Sequence, residues 1–159
     1  MRILRLCIAT AARFFMSAVF LAGAVKNIFH WHETEKEIMN VFSDWQSHVD
    51  FSRDAQVFFS LLIPWTSLLQ IFATSLMLVG GLLLLLGIKE KLGAALLVLF
   101  LIPVTVLYHP FWWEGGVSQE IQTVMFLKNL AILGCLIQLL LQGSPAMSEG
   151  REKLSSLRF

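Results

Sequence analysis

Apolar residues in this chain fall in long unbroken runs, without the alternation of a half-buried strand, and four of the runs are as long as a membrane demands. At about 1.5 Å of rise per residue, a helix of about 20 apolar residues crosses the hydrocarbon core. The first run covers about residues 6–29 and is interrupted by Arg13 and Lys26. Only twelve residues lie between these two bases, so a full span holds at least one of them in or beside hydrocarbon. The second falls in the charge-free stretch from Ala55 to Ile88, whose 34 residues are enough for a span and a surface segment. Pro64 suits a first helical turn, which predicts an interfacial segment up to Ile63 and a span over 65–88. The third covers 92–108, where Pro103 removes one backbone bond to Leu99 and predicts a kink. The fourth covers 121–141, holds Lys128 and Asn129, and is stopped by Gly143, Ser144 and Pro145.

Between the first two spans lies the one sizeable hydrophilic segment, residues 30–63. In it Val41, Phe42, Trp45, His48 and Val49 recur at helical spacing among acids, which predicts a short amphipathic helix. Either it caps the bundle or it lies on the membrane surface. The expected fold is therefore all-α: an integral membrane four-helix bundle over 1–142 with a short outer amphipathic segment, followed by a cytoplasmic tail, 143–159. There is no repeat of 20 to 50 residues and no second domain.

Composition supports the bilayer as solvent. Hydrophobic residues make up 57% of the chain and charged ones 14%, against about 25% charged in an average soluble domain. The net charge of +1 and the absence of interleaved basic and aromatic residues exclude nucleic acid as a partner. Orientation follows from the basic residues. Arg2, Arg5, Lys89, Lys91, Arg151, Lys153 and Arg158 lie on one side, against Lys36 and Arg53 on the other, which puts both termini in the cytoplasm, as in a bacterial inner membrane. Trp31, Trp45, Trp65, Trp112 and Trp113 all fall near the outer boundary, where an aromatic belt belongs. At the N-terminus, Arg2 and Arg5, the apolar stretch Phe14 to Leu21 and the triplet Ala22-Gly23-Ala24 also imitate a cleavable signal peptide. Arg13 confines its apolar region to eight residues, so retention of the segment as a span is expected.

Inside lipid an ionisable group marks function or faces protein. Arg13, Lys26 and Lys128 are the three such groups, and no span contains an acid to neutralise them. The expected countercharge is a loop carboxylate such as Glu114 or Glu120, a lipid phosphate, or an electron-rich ligand such as a quinone carbonyl. Lys26 sits where its helix reaches the surface and can snorkel to the headgroups, whereas Lys128 lies about 10 Å below Ile121. His109 closes the third span ahead of Pro110, Phe111, Trp112 and Trp113, an imidazole and two indoles at the level of Lys26. An interfacial pocket with aromatic walls and a few polar tips suits a quinone or a lipid-like ligand. Arg13, Lys26, His109, Lys128 and Asn129 are the candidate binding residues, and an aromatic belt with one hydrogen-bonded histidine is the plain structural alternative. His30 and His32 lack a third metal ligand. Cys7 and Cys135 lie in apolar runs with no paired spacing and read as small buried thiols.

Several of these segments, taken in order, resemble the DoxX family of small four-helix membrane proteins. They are the first helix with Arg13, Phe20, Gly23 and Lys26; Gly80-Gly81 through Leu86-Gly87; His109-Pro110-Phe111-Trp112; and Lys128-Asn129-Leu130-Ala131. The likeness extends over nearly the whole chain outside the outer loop and the tail. One departure is visible: the family pattern includes an acid in the second helix ahead of the paired glycines, and here that helix offers only Gln70. The family is named for a subunit of a thiosulfate:quinone oxidoreductase, and some members are described as membrane partners in redox or oxidative-stress complexes. The resemblance thus implies a quinone-contacting or anchoring subunit of a membrane redox complex, with other redox subunits as partners.

Two other functions fit the residues. One is a non-enzymatic assembly protein whose small-residue faces, around Gly23, Gly80, Gly81 and Gly93, pack against foreign membrane helices. The other is transport of a small lipophilic anion, which at four helices per chain needs a homo-oligomer. No nucleophile with an adjacent base, no phosphate-cradling glycine loop and no cofactor attachment motif is present, so the chain alone shows no catalytic apparatus.

Overall fold

The computed structural model describes residues 2–49 and 51–143, so the expected tail after Gly143 lies outside the described residues. Everything regular in it is helical. Six α-helices follow one another: α1 (Arg2–Phe29), α2 (Trp31–His48), α3 (Arg53–Leu62), α4 (Thr66–Leu86), α5 (Glu90–Tyr108) and α6 (Gly116–Gln142). Four stretches are long and apolar enough to cross a membrane: Thr10–Phe29, Arg53–Leu86, Glu90–Tyr108 and Gly116–Gln142. The chain is an integral membrane protein of four spanning helices.

Local chemistry explains where the helices begin and end. Ser52 caps α3 by accepting from the Ala55 amide at 3.4 Å. Pro64 lies in a single 3-10 turn, Ile63–Trp65, that joins α3 to α4, and Thr66 donates its hydroxyl back to the Ile63 carbonyl at 2.6 Å. α4 ends in a Schellman turn: Gly87 is left-handed (φ 68°), with Ile88 N bonded to Leu83 O at 3.0 Å and Gly87 N to Leu84 O at 3.2 Å. Lys89 is also left-handed (φ 46°), so the chain reverses within a few residues and enters α5 at Glu90. α5 continues through Pro103 as one helix.

The spans pack in chain order, α1 on α4, α4 on α5 and α5 on α6, while among the described residues α1 and α6 are not packed side by side. All four contribute to one core of Phe20, Ala24, Met77, Leu84, Ala94, Leu97, Leu101 and Leu136. Small residues set the spacing. A Cβ on Gly93 would lie 3.0 Å from the Gly80 carbonyl oxygen, and a Cβ on Gly81 would lie 2.9 Å from Leu21 Cδ2. Backbones touch at the first of these points and a side chain fills the second, which is how helices gain attraction in lipid. Gly23, Gly80, Gly81 and Gly93 are therefore consumed inside the bundle and do not form a face for foreign helices.

The amphipathic segment is longer than its five apolar positions suggest. α2 runs for 18 residues, and its apolar side joins Phe42, Val49 and Phe59 in a second core that rests on Leu69 of α4 and Leu107 of α5. Of the two placements expected, it caps the bundle.

Candidate functional site

At the end of the bundle holding the α4–α5 turn, Arg13 Nη1 donates to Glu90 Oε1 at 2.7 Å. The side chain of Glu90 is 1% exposed and that of Arg13 20%. Gly87 leaves the room: a Cβ there would collide with Arg13 Nη1. The countercharge for Arg13 is thus neither Glu114 nor Glu120. It is an acid from the Lys89-Glu90-Lys91 turn, which reads in sequence as a solvated loop and which the left-handed residues Gly87 and Lys89 fold back against α1. Beside it, Lys91 Nζ donates to the Leu141 carbonyl at 2.9 Å, placing a cation on the C-terminal end of α6.

The opposite end, beneath α2, holds a different set of groups. Lys26 Nζ lies 3.7 Å from Glu37 Oε1, with both side chains more than half exposed, an ion pair that contributes little. Deeper in, Asn27 Nδ2 donates to Thr74 Oγ1 at 3.4 Å. Gln70, fully buried on α4, donates through Nε2 to the Trp31 carbonyl at 3.0 Å, and Ser67 donates to Glu35. These bonds tie the first turns of α2 to α4. The bond to Trp31 fixes the Gln70 amide, so that its Oε1 points elsewhere; that oxygen and the Thr34 hydroxyl are buried and have no partner among the described residues.

The far end of α2 meets the α5–α6 connection in a wall of rings. Trp45 stacks on Phe59 at 5.5 Å and meets Trp113 edge-on at 4.5 Å, while His48 lies parallel to Trp113 at 4.7 Å. Phe111 and Trp112 extend the wall to Phe126 on α6. Trp45 Nε1 donates to the Leu107 carbonyl at 2.9 Å, satisfying an orphan oxygen of the last α5 turn. His109 Nδ1 donates to Gln122 Oε1 at 2.8 Å, in the tautomer that leaves Nε2 as an acceptor. The Trp113 indole N–H is buried without a partner among the described residues.

Seven residues below Gln122 on α6, Asn129 is buried against α5. Lys128 instead lies exposed, its Nζ 3.3 Å from Met125 Sδ on its own helix. The five residues singled out in the sequence therefore fall in separate places. Arg13 lies at the turn end and Lys26 at the margin of α2. His109 and Asn129 share the α5–α6 seam, and Lys128 faces away from it. Sequence reasoning missed Glu90, Gln70 as a buried donor, Gln122 and the His48–Trp113 stack. The i, i+7 spacing from Gln122 to Asn129 on one helix face was the available signal for the seam. Cys7 and Cys135, expected to be buried, are both exposed. Among the described residues no group of three His, Cys, Asp or Glu could hold a metal.

Comparison with known proteins agrees with the fold. The family model described as DoxX matches residues 8–110, well over half of the 159. The matched region runs from α1 through His109-Pro110 and stops before α6, so the Lys128-Asn129-Leu130-Ala131 segment lies beyond it. No curated protein and no solved structure matches the chain.

Proposed function

The chain belongs to the DoxX family, and from that premise we propose that it is a non-catalytic membrane subunit of a redox complex that holds a quinone headgroup at the α2 end of the α5–α6 seam. The observation that carries this is the Trp113 indole N–H, a buried donor with no partner among the described residues, set in a wall of aromatic rings. A quinone ring stacks on such walls, and its carbonyls accept from an N–H. His109 Nε2, its ring oriented by Gln122, supplies an acceptor for the hydroxyl of the reduced form. Below it the seam leads past Phe126 to Asn129, a course along which an isoprenoid tail lies in apolar surroundings. The distribution of basic residues supports placing the α2 end outside and both termini in the cytoplasm of a bacterial inner membrane. Arg13 is engaged by Glu90 at the other end and is assigned a structural role.

The test is titration of the purified protein in mild detergent with ubiquinone and with menaquinone, read by tryptophan fluorescence. Saturable quenching that weakens about tenfold in Trp113→Phe or His109→Leu is expected, as for loss of one hydrogen bond of about 1.4 kcal/mol. Absence of saturable quenching by either quinone removes the proposal.

A further inference from the structure

α6 is the least covered of the four spans. Among the described residues its packing is against α5, through Asn129, Leu136, Ile132 and Leu133, and most of the rest of its circumference is exposed. On that open side the helix is not uniformly apolar. Lys128, Ala131, Cys135 and Gln138 all lie there exposed. Lys128 lies seven residues below Ile121, where the apolar part of α6 begins, and fourteen from the helix end at Gln142, which places it about 10 Å into the span. An ammonium at that depth stands at the limit of snorkelling reach. Its one close polar contact is a thioether on its own helix, and the Gln138 amide has no hydrogen bond among the described residues. Lipid tails satisfy neither group, and polar side chains in membrane helices are held by other helices.

We infer that the open face of α6 docks against a transmembrane helix of a different protein, and that this partner carries a carboxylate opposite Lys128. A second copy of this chain does not meet the requirement. A parallel copy sets Lys128 against Lys128. Among the described acids in the spanning stretches, Glu90 is buried against Arg13, Asp54 lies in the first turn of α3 at the start of its stretch, and Glu120 lies about 12 Å above Lys128 in the first turns of α6. Ala131 and Cys135 let the partner backbone approach, and the Gln138 amide gives it a second polar contact. The inference rests on α6 alone and is independent of quinone binding at the seam.

Cys135 provides the handle for the test, being exposed two turns from Lys128 on the same side. In native membranes carrying the full chain with Cys7→Ser, a membrane-permeant bismaleimide is expected to join Cys135 to a different protein. Its crosslinked peptide must come from a membrane span containing Asp or Glu. Lys128→Leu is expected to lower that adduct at least about tenfold and Lys128→Arg to retain it, with the thermal stability of the chain unchanged in both. As a second measurement, the purified chain in phosphatidylcholine vesicles should bind a leucine-rich spanning peptide with a central Glu better than its Leu analogue, a preference lost in Lys128→Leu. A Cys135–Cys135 adduct of two copies overturns the inference. So do a protein adduct indifferent to Lys128→Leu, a crosslinked span without an acid, and a Lys128→Leu effect confined to copurifying anionic lipid. Quinone titration of the same Lys128→Leu protein keeps the two readings apart, since quenching is expected to persist.

Discussion

Arg13 and Glu90, 77 positions apart in sequence, meet at 2.7 Å and pin the N-terminal half of α1 to the turn between α4 and α5. Removing Arg13 leaves the Glu90 carboxylate charged at 1% exposure, which costs about 3–5 kcal/mol, and removing Glu90 costs less because the Arg13 side chain is 20% exposed. Arg13→Leu and Glu90→Leu are each expected to lower the thermal midpoint of the detergent-solubilised protein. The double substitution should recover most of the loss, because an apolar pair of similar volume removes the uncompensated charge. A double variant as unstable as the sum of the two singles would show that the pair is not the linkage.

The two residues also show what a sequence makes legible. Four spans were readable because length and apolarity are local properties, and the α3–α4 break was readable because proline acts on its own backbone. Glu90 was not. It stands between two lysines at a span boundary, the pattern of a solvated turn, and its burial depends on Gly87 and Lys89 both taking left-handed conformations, which nothing in a one-dimensional charge pattern requires. The candidate site divides in the same way. His109 and its aromatic neighbours are adjacent in sequence and were found together. Gln122 and His48, which complete their surroundings, come from other helices and become neighbours only once packing is known.

The contact between Gly80 and Gly93 should tolerate no side chain. In Gly93→Val the new Cβ meets the Gly80 carbonyl oxygen and Leu83 Cβ, both at 3.0 Å, so α4 and α5 must separate. Overpacking of this kind costs about 1–3 kcal/mol. Gly134→Ala is the control, since a Cβ there meets nothing within 4 Å, and its stability should be unchanged or slightly raised by helix propensity. Thermal midpoints of the two variants side by side decide the matter; equal midpoints would refute the close contact.

Trp45 holds α2 over the bundle through both its ring and its N–H. Trp45→Phe keeps most of the stacking on Phe59 and deletes the bond to the Leu107 carbonyl, leaving a half-shielded oxygen unsatisfied at the end of α5. A loss of about 1–2 kcal/mol is expected, localised to the cap. Amide hydrogen exchange should therefore quicken in α2 and in the last turn of α5, with α4 unaffected. Uniform acceleration across all helices would mean that α2 is not a separable cap.

Gln70 tests whether a buried amide on a spanning helix serves the fold or something bound to it. Its Nε2 bond to the Trp31 carbonyl contributes about 0.5–1.5 kcal/mol, while its Oε1, buried without a partner among the described residues, costs about 1–3 kcal/mol. The two contributions oppose each other, and the second is at least as large. Gln70→Leu deletes both at similar volume, and the Trp31 carbonyl keeps its place in the first turn of α2. For the isolated chain in detergent the expected result is an unchanged or slightly raised thermal midpoint. A fall of several degrees would show that Oε1 is satisfied in solution by a bound water or a ligand hydroxyl. The Thr34 hydroxyl, likewise buried and unpartnered in the same first turns of α2, would be the next group to substitute.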